Sequence, residues 1–233
     1  MKRYKQIAGS ILDLKIIASL AVDNILRIHN GAYYLASAIS RRVEPNGLHP
    51  KHRILDYHQW FSSRVRPGWR VLDVGCGNGA LSGDLIKYCD KIVAIDLDPE
   101  KIQAAKKLLP DNPIQFILGD AAIYPFEGRF DAVILSNVLE HIRDRVRLLK
   151  NVSQYSDLFL IRVPMVDRDW ITLYKKERGV PYLLDKGHYI EYTVDSFSTE
   201  MAKAGLFIGE YRVRYGELYS VCHKKDQLES TVS

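Results

Sequence analysis

Three carboxylates, two histidines and a run of glycines carry most of the chemistry that the chain offers. In Val71-Leu72-Asp73-Val74-Gly75-Cys76-Gly77-Asn78-Gly79 an apolar run rich in β-branched residues is cut by an aspartate and then by glycines at alternate positions. Gly75, Gly77 and Gly79 free backbone N–H groups and let a ligand come within van der Waals distance of the main chain, which a Cβ would prevent. Asp96 follows about 17 residues after Gly79, at the end of a second apolar run. A carboxylate there can accept hydrogen bonds from both hydroxyls of a ribose. Asn137 closes a further apolar run, at the strand end where open α/β sheets bind ligands, so it is expected to face a ligand. His141 follows Glu140, and His188 stands in Gly187-His188-Tyr189-Ile190-Glu191-Tyr192. An imidazole can move a proton near neutral pH. His141 is open to three roles: pocket wall, general base, or packed and hydrogen-bonded ring. His188 is open to two, a substrate contact or base and a structural hydrogen bond.

These residues are set by regularly ordered elements. Strands are expected at 70–75, 91–96, 114–118, 130–136, 157–163, 207–213 and 218–223, with helical patterns after the first five. That alternation predicts a parallel sheet with helices on both faces. Only Arg214 to Glu217 separate the last two strands, so they are expected to pair as an antiparallel hairpin at the sheet edge. Asp98-Pro99-Glu100 reads as an N-cap and first helical turn, and Thr193 and Gly205 as the start and stop of the last helix. Ahead of the sheet, Ile7, Ile11, Leu14, Ile17, Ala18, Ala21, Ile25 and Ile28 recur at helical spacing. This predicts a helix from 7 to about 40. A connector from Arg41 to Pro50, a helix from Lys51 to Val65 and a turn at Arg66-Pro67-Gly68 lead into the first strand. The expected organisation is an N-terminal helical extension, 1–50, that caps the cleft, and one domain, 51–233.

Residues from about 52 to 223 resemble a class I S-adenosylmethionine-dependent methyltransferase of the small-molecule kind. The resemblance is carried by "VLDVGCGNG", "IVAIDLDP", the "LGDA" around Asp120 and "FDAVILSNVLEHI". It implies a Rossmann-like, doubly wound, seven-stranded α/β sheet, mostly parallel, with an antiparallel C-terminal hairpin. It also implies S-adenosylmethionine as cofactor. On that reading Asp73 orders the glycine turn and helps place the methionine amino group, and the backbone of Gly75, Cys76, Gly77 and Gly79 cradles the methionine part. Asp96 holds the ribose, Leu97 covers one face of the adenine, and Asp120 and Ala121 bind its edge. A dinucleotide enzyme would show GxGxxG, whereas here the glycines run GxGxG after an aspartate. In some quinone O-methyltransferases a further glutamate completes a metal site with the Glu-His pair. That position is Asn137 here, so no metal is expected.

The implied reaction is methyl transfer by in-line displacement to a small molecule, with a lipid, quinone or glycan intermediate in view. An RNA or protein methyltransferase and a non-catalytic S-adenosylmethionine-binding protein are the alternatives. Met165 to Tyr192 is longer than a crossover needs, and such loops at the ligand end of a sheet usually carry function. Trp170, Tyr174, Tyr189 and Tyr192 in it are the expected substrate walls, and Lys175-Lys176-Glu177-Arg178 is expected to be a solvated face. The net charge of +5 is concentrated before Pro67. The basic, apolar first helix is therefore expected to pack on the domain, on a second copy as a homodimer, or on a membrane surface. Nucleic acid is not favoured, since no binding module precedes the domain. Asp13 and Lys15 interrupt the N-terminal apolar run, which argues against a signal peptide or a span. Cys76, Cys89 and Cys222 show no metal or disulfide spacing, and a reducing cytoplasm is expected.

Overall fold

A computed structural model describes residues 2–45, 49–110 and 112–225, with side chains from Leu14 onward. In chain order the elements are α1 (Lys2–Val43), α2 (Lys51–Leu55), α3 (Tyr57–Ser62), β1 (Arg70–Val74), α4 (Ala80–Leu85), β2 (Lys91–Asp96), α5 (Pro99–Leu108), β3 (Ile114–Leu118) and β4 (Ala132–Ser136). A single 3₁₀ turn (Leu139–His141) leads to α6 (Arg145–Val152), β5 (Leu158–Pro164), α7 (Trp170–Glu177), α8 (Val194–Lys203), β6 (Leu206–Arg214) and β7 (Glu217–Lys224). The chain divides into two compact units: Met1–Ile54 with Asp169–Leu184, and Leu55–Arg168 with Asp185–Ser233.

The second unit is built on one seven-stranded sheet of order β3-β2-β1-β4-β5-β7-β6. The first five strands pair in parallel, and β7 pairs antiparallel with both β5 and β6. Alternate side chains of each strand go to opposite faces, which gives two cores. Leu72, Val74, Val93, Ile95 and Leu135 join Phe130, Leu149 and Phe197 on one face. Val71, Ile92, Ala94 and Ile134 join Phe61, Trp60 and Leu85 on the other. The strand order reverses between β1 and β4, and the crevice at their carboxyl ends is where such sheets take ligands. The glycine turn after β1 opens there.

Three expectations are corrected. No helix follows β3: residues 119–131 form turns, because Pro125 and Gly128 interrupt a short connection and Asp120 accepts from the Ala122 N–H at 2.9 Å in a tight turn. The single helix expected from Lys51 to Val65 is split at Asp56, which sits at φ 47. The first helix runs on to Val43 through Arg41 and Arg42, while Asn46, Gly47 and Leu48 of the expected connector lie outside the described residues. The Asp98 cap is present, its side chain accepting from the Glu100 and Lys101 N–H groups ahead of Pro99. Thr193 caps α8 in a reciprocal box with Ser196.

In the first unit, α1 holds the segment around α7 by polar contacts along one face. Arg178 donates to Asp23 at 2.7 Å and also to Ser19. Lys175 Nζ lies 2.7 Å from Asn30 Oδ1 and 2.9 Å from His29 Nδ1, and Asn30 Nδ2 donates to the Pro181 carbonyl at 2.7 Å. Lys175 is buried. Lys175 of the expected solvated face is thus internal, and Arg178, one turn on and half-buried, also finds its partners on α1. Among the described residues no helix is long and apolar enough to cross a membrane.

Candidate functional site

A cavity of about 390 Å³ opens at the carboxyl ends of β1, β2, β3 and β4. Its wall includes Gly75 after β1, Asp96, Leu97 and Asp98 after β2, and Gly119, Asp120 and Ala121 after β3. Asn137, Val138 and His141 after β4 complete it. Of the expected cofactor residues, Gly75, Asp96, Leu97, Asp120, Ala121 and Asn137 line this one space. Gly75 has φ 68, and a Cβ there would meet Val138 Cγ2 at 2.7 Å, so the close approach of turn and β4 loop requires glycine.

Asp73 stands in β1, and Cys76, Gly77 and Gly79 belong to the body of the turn. Asp73 is buried beneath it and accepts a 2.5 Å hydrogen bond from Ser82 Oγ of α4. Burial pushes its carboxyl up to about 7, against the lowering effect of the Ser82 bond. Asp96 ties the turn to the next strand, Oδ2 accepting from the Gly77 N–H at 2.8 Å and Oδ1 from the Asp98 N–H at 2.9 Å. Each oxygen keeps a lone pair for a hydroxyl donor.

Beside the cavity two histidines meet edge to face, with ring centroids of His141 and His188 4.7 Å apart. Nδ1 of His141 faces the Gly187 carbonyl at 3.2 Å, and Nδ1 of His188 lies 2.9 Å from Glu191 Oε1. Glu191 has no exposed side-chain surface and also accepts from Arg168. If each Nδ1 carries its hydrogen toward its acceptor, each Nε2 keeps a lone pair. Burial, and then His188, hold the His141 imidazole below its ordinary pKa.

Glu140, between Leu139 and His141, is fully buried, and neither carboxyl oxygen completes a hydrogen bond. Burial pushes it up to about 7. Donor atoms of Glu140, His141 and His188 lie within 4.8 Å of one another, a spacing from which a divalent ion could be held. The sequence expectation of no metal rested on Asn137 alone and did not bring His188 into the group.

A second polar group lies under Asn137, which sits at φ 56. Arg162 of β5 is buried, donates to Glu217 at 3.2 Å and has its guanidinium 3.9 Å from the Tyr57 ring centroid. Asn137 Oδ1 and the Tyr219 hydroxyl are buried without a hydrogen bond. Arg162 and Glu217 were not singled out from sequence, and Glu191 stood in the expected substrate segment with no partner assigned. The available signals were a charge in the middle of an apolar strand and the His-x-x-Glu spacing.

The expected substrate walls are divided between the two units. Tyr189 is exposed, its N–H donates to the Glu140 carbonyl at 2.7 Å, and its ring lies 4.7 Å from the Arg143 guanidinium. Trp170 and Tyr174 belong to the first unit, with ring centroids 6.3 Å apart. Tyr192 is corrected to a core residue: it is fully buried and its hydroxyl donates to Glu200 at 2.6 Å.

A glycine turn after the first strand, an acidic end on the second, and a sheet closed by the order β5-β7-β6 define the class I methyltransferase architecture. The family described as "Methyltransferase domain" matches residues 72–155. Over these residues the chain resembles the class I S-adenosylmethionine-dependent methyltransferases. It is 38% identical over 103 residues to a ubiquinone biosynthesis O-methyltransferase of Xanthomonas campestris, covering 41% of each chain. It is 32% identical over 126 residues to the ribosomal protein L11 methyltransferase of Thermotoga maritima, covering 52% of this chain and 46% of the relative. The chain thus spans less than half the length of these curated relatives. Among solved structures, the magnesium protoporphyrin IX methyltransferase of Synechocystis with bound SAH shares the fold at TM-score 0.58 and 18% identity, over 75% of this chain and 83% of that one.

Proposed function

We propose that the second unit binds S-adenosylmethionine in the 390 Å³ cavity and transfers its methyl group to a small-molecule acceptor of the lipid, quinone or glycan-intermediate kind. The observation that carries this is the convergence of Asp96, Leu97, Asp120 and Asn137 on one cavity beside a turn too tight for a Cβ. The residues fit the cofactor. Asp96 has lone pairs left for the ribose hydroxyls, Leu97 is exposed at the wall for the adenine face, and Asp120 can accept from an amino group. Asn137 Oδ1 is a buried acceptor still lacking a donor. When bound, the sulfonium supplies an already activated methyl group, so the protein's task is orientation and removal of the acceptor's proton.

His188 takes that proton on Nε2. Glu191 fixes the ring through Nδ1. His141 lines the cavity and meets the His188 ring edge to face. Incubating the protein and methyl-labelled cofactor with a metabolite extract, and separately with ribosomes and total protein, tests the reading. Label in a low-molecular-weight product supports it. Label confined to protein or RNA, or cofactor binding with no transfer to any fraction, overturns the acceptor class.

A further inference from the structure

Helix α1 carries a seam that the first unit does not use. Leu14, Ala18, Ala21, Ile25, Ile28, Ala32, Leu35 and Ile39 follow one another at strict four-three spacing, and all eight are exposed. Leu14 and Ile28 reach 66% and 70% exposure. Ser19, Asp23, Leu26 and Asn30, which face the α7 segment or are buried, lie on the other side of the helix at 100° per residue. Arg42 ends the seam at its next position. A repeat of 3.5 residues held over three heptads is the pattern that another helix, not a flat surface, satisfies.

We propose that this seam pairs with the same seam of a second copy, as an antiparallel two-helix coiled coil that makes the protein a homodimer. Three features favour a second copy. First, the seam is self-complementary when read backwards about its centre. Ile25 meets Ile28, Ala21 meets Ala32, Ala18 meets Leu35 and Leu14 meets Ile39. A parallel pair would instead stack Ala18 on Ala18 and Ala21 on Ala21, two adjacent hollow layers. Second, the size is sufficient: 25 residues of helix make a strip about 38 Å long and about 10 Å wide on each copy. With side-chain relief the two strips reach the roughly 1,000 Å² of a specific interface. Third, lipid is a poor occupant. A surface helix needs a polar face rich in Lys and Arg, and from Ile16 to Ser40 the only Lys or Arg is Arg27, while Asp23 is paired with Arg178. Alanines at three seam positions add little to lipid burial but let two helices approach closely.

Sedimentation velocity of the full chain at micromolar concentration tests the pairing. The parent protein is expected to be a dimer and Ile25→Glu/Ile28→Glu a monomer with an unchanged far-ultraviolet spectrum. Ile25→Ala/Ile28→Ala, which changes only exposed side chains of the monomer, is expected to weaken association at least tenfold. A monomeric parent, or dimers unaffected by both double variants, overturns the proposal. A monomeric parent that floats with phosphatidylserine-containing vesicles assigns the face to lipid instead. Under mild oxidation Ala21→Cys/Ala32→Cys is expected to cross-link between copies and Ala21→Cys alone is not. A disulfide-linked dimer of the single variant contradicts the antiparallel register.

Discussion

Nδ1 of His188 lies 2.9 Å from Oε1 of Glu191, whose side chain is wholly buried and also accepts from Arg168. A histidine held this way has one tautomer and one orientation. If His188 is the base, His188→Ala lowers kcat by about 10²–10⁴-fold with little change in cofactor affinity. Glu191→Gln keeps an acceptor for Nδ1 but removes the charge. Its kcat is expected to fall. An unchanged kcat shows that Glu191 is only packing.

Glu140 gives a stability signature. Its carboxyl is pushed up to about 7 from 4.5 by burial, so the folded state binds a proton that the unfolded state has already released between those values. Stability therefore falls as pH rises through that window, by on the order of 3 kcal/mol for the full shift. Glu140→Gln keeps the shape without the charge. It is expected to be more stable than the parent at pH 8 by about 1–3 kcal/mol and equal to it near pH 4, in urea titrations at both pH values. Equal stability at pH 8 means that Glu140 has a counter-charge when ionised.

That counter-charge could be a cation, and chelation separates the cases. With His188 as the base, protein treated with EDTA keeps its turnover. Loss of turnover restored by a divalent ion, and abolished alike in Glu140→Gln and His141→Ala, would move the acceptor's activation to a metal on Glu140, His141 and His188.

The fold was largely legible because β1, β2, β4 and β5 are apolar runs rich in β-branched residues, and a parallel sheet buried on both faces requires that pattern. The cavity wall was legible for a related reason: ligand residues sit at strand ends, which sequence marks by the change from apolar to polar. What escaped lies where partners are distant in sequence. Nothing local shows that Arg162, in the middle of β5, meets Glu217 fifty-five residues on, or that Glu191 meets Arg168. Tyr192 and Tyr189 are equally aromatic and stand in one irregular segment without a period to assign a face, yet one is core and the other exposed. Lys175 reads as solvated until Asn30 and His29 are seen to meet it.

The central claim is that Asp96 holds the cofactor in the cavity after β2, and titration calorimetry tests it most directly. S-adenosylmethionine is predicted to bind the parent protein in the micromolar range. Asp96→Ala is predicted to bind at least tenfold more weakly, about 1.4 kcal/mol, while still unfolding cooperatively on heating. Because Asp96 also accepts from Gly77 and Asp98, Asp96→Asn, which keeps one acceptor oxygen, should fall between the two. No binding to the parent, or the same dissociation constant in Asp96→Ala, would contradict the account.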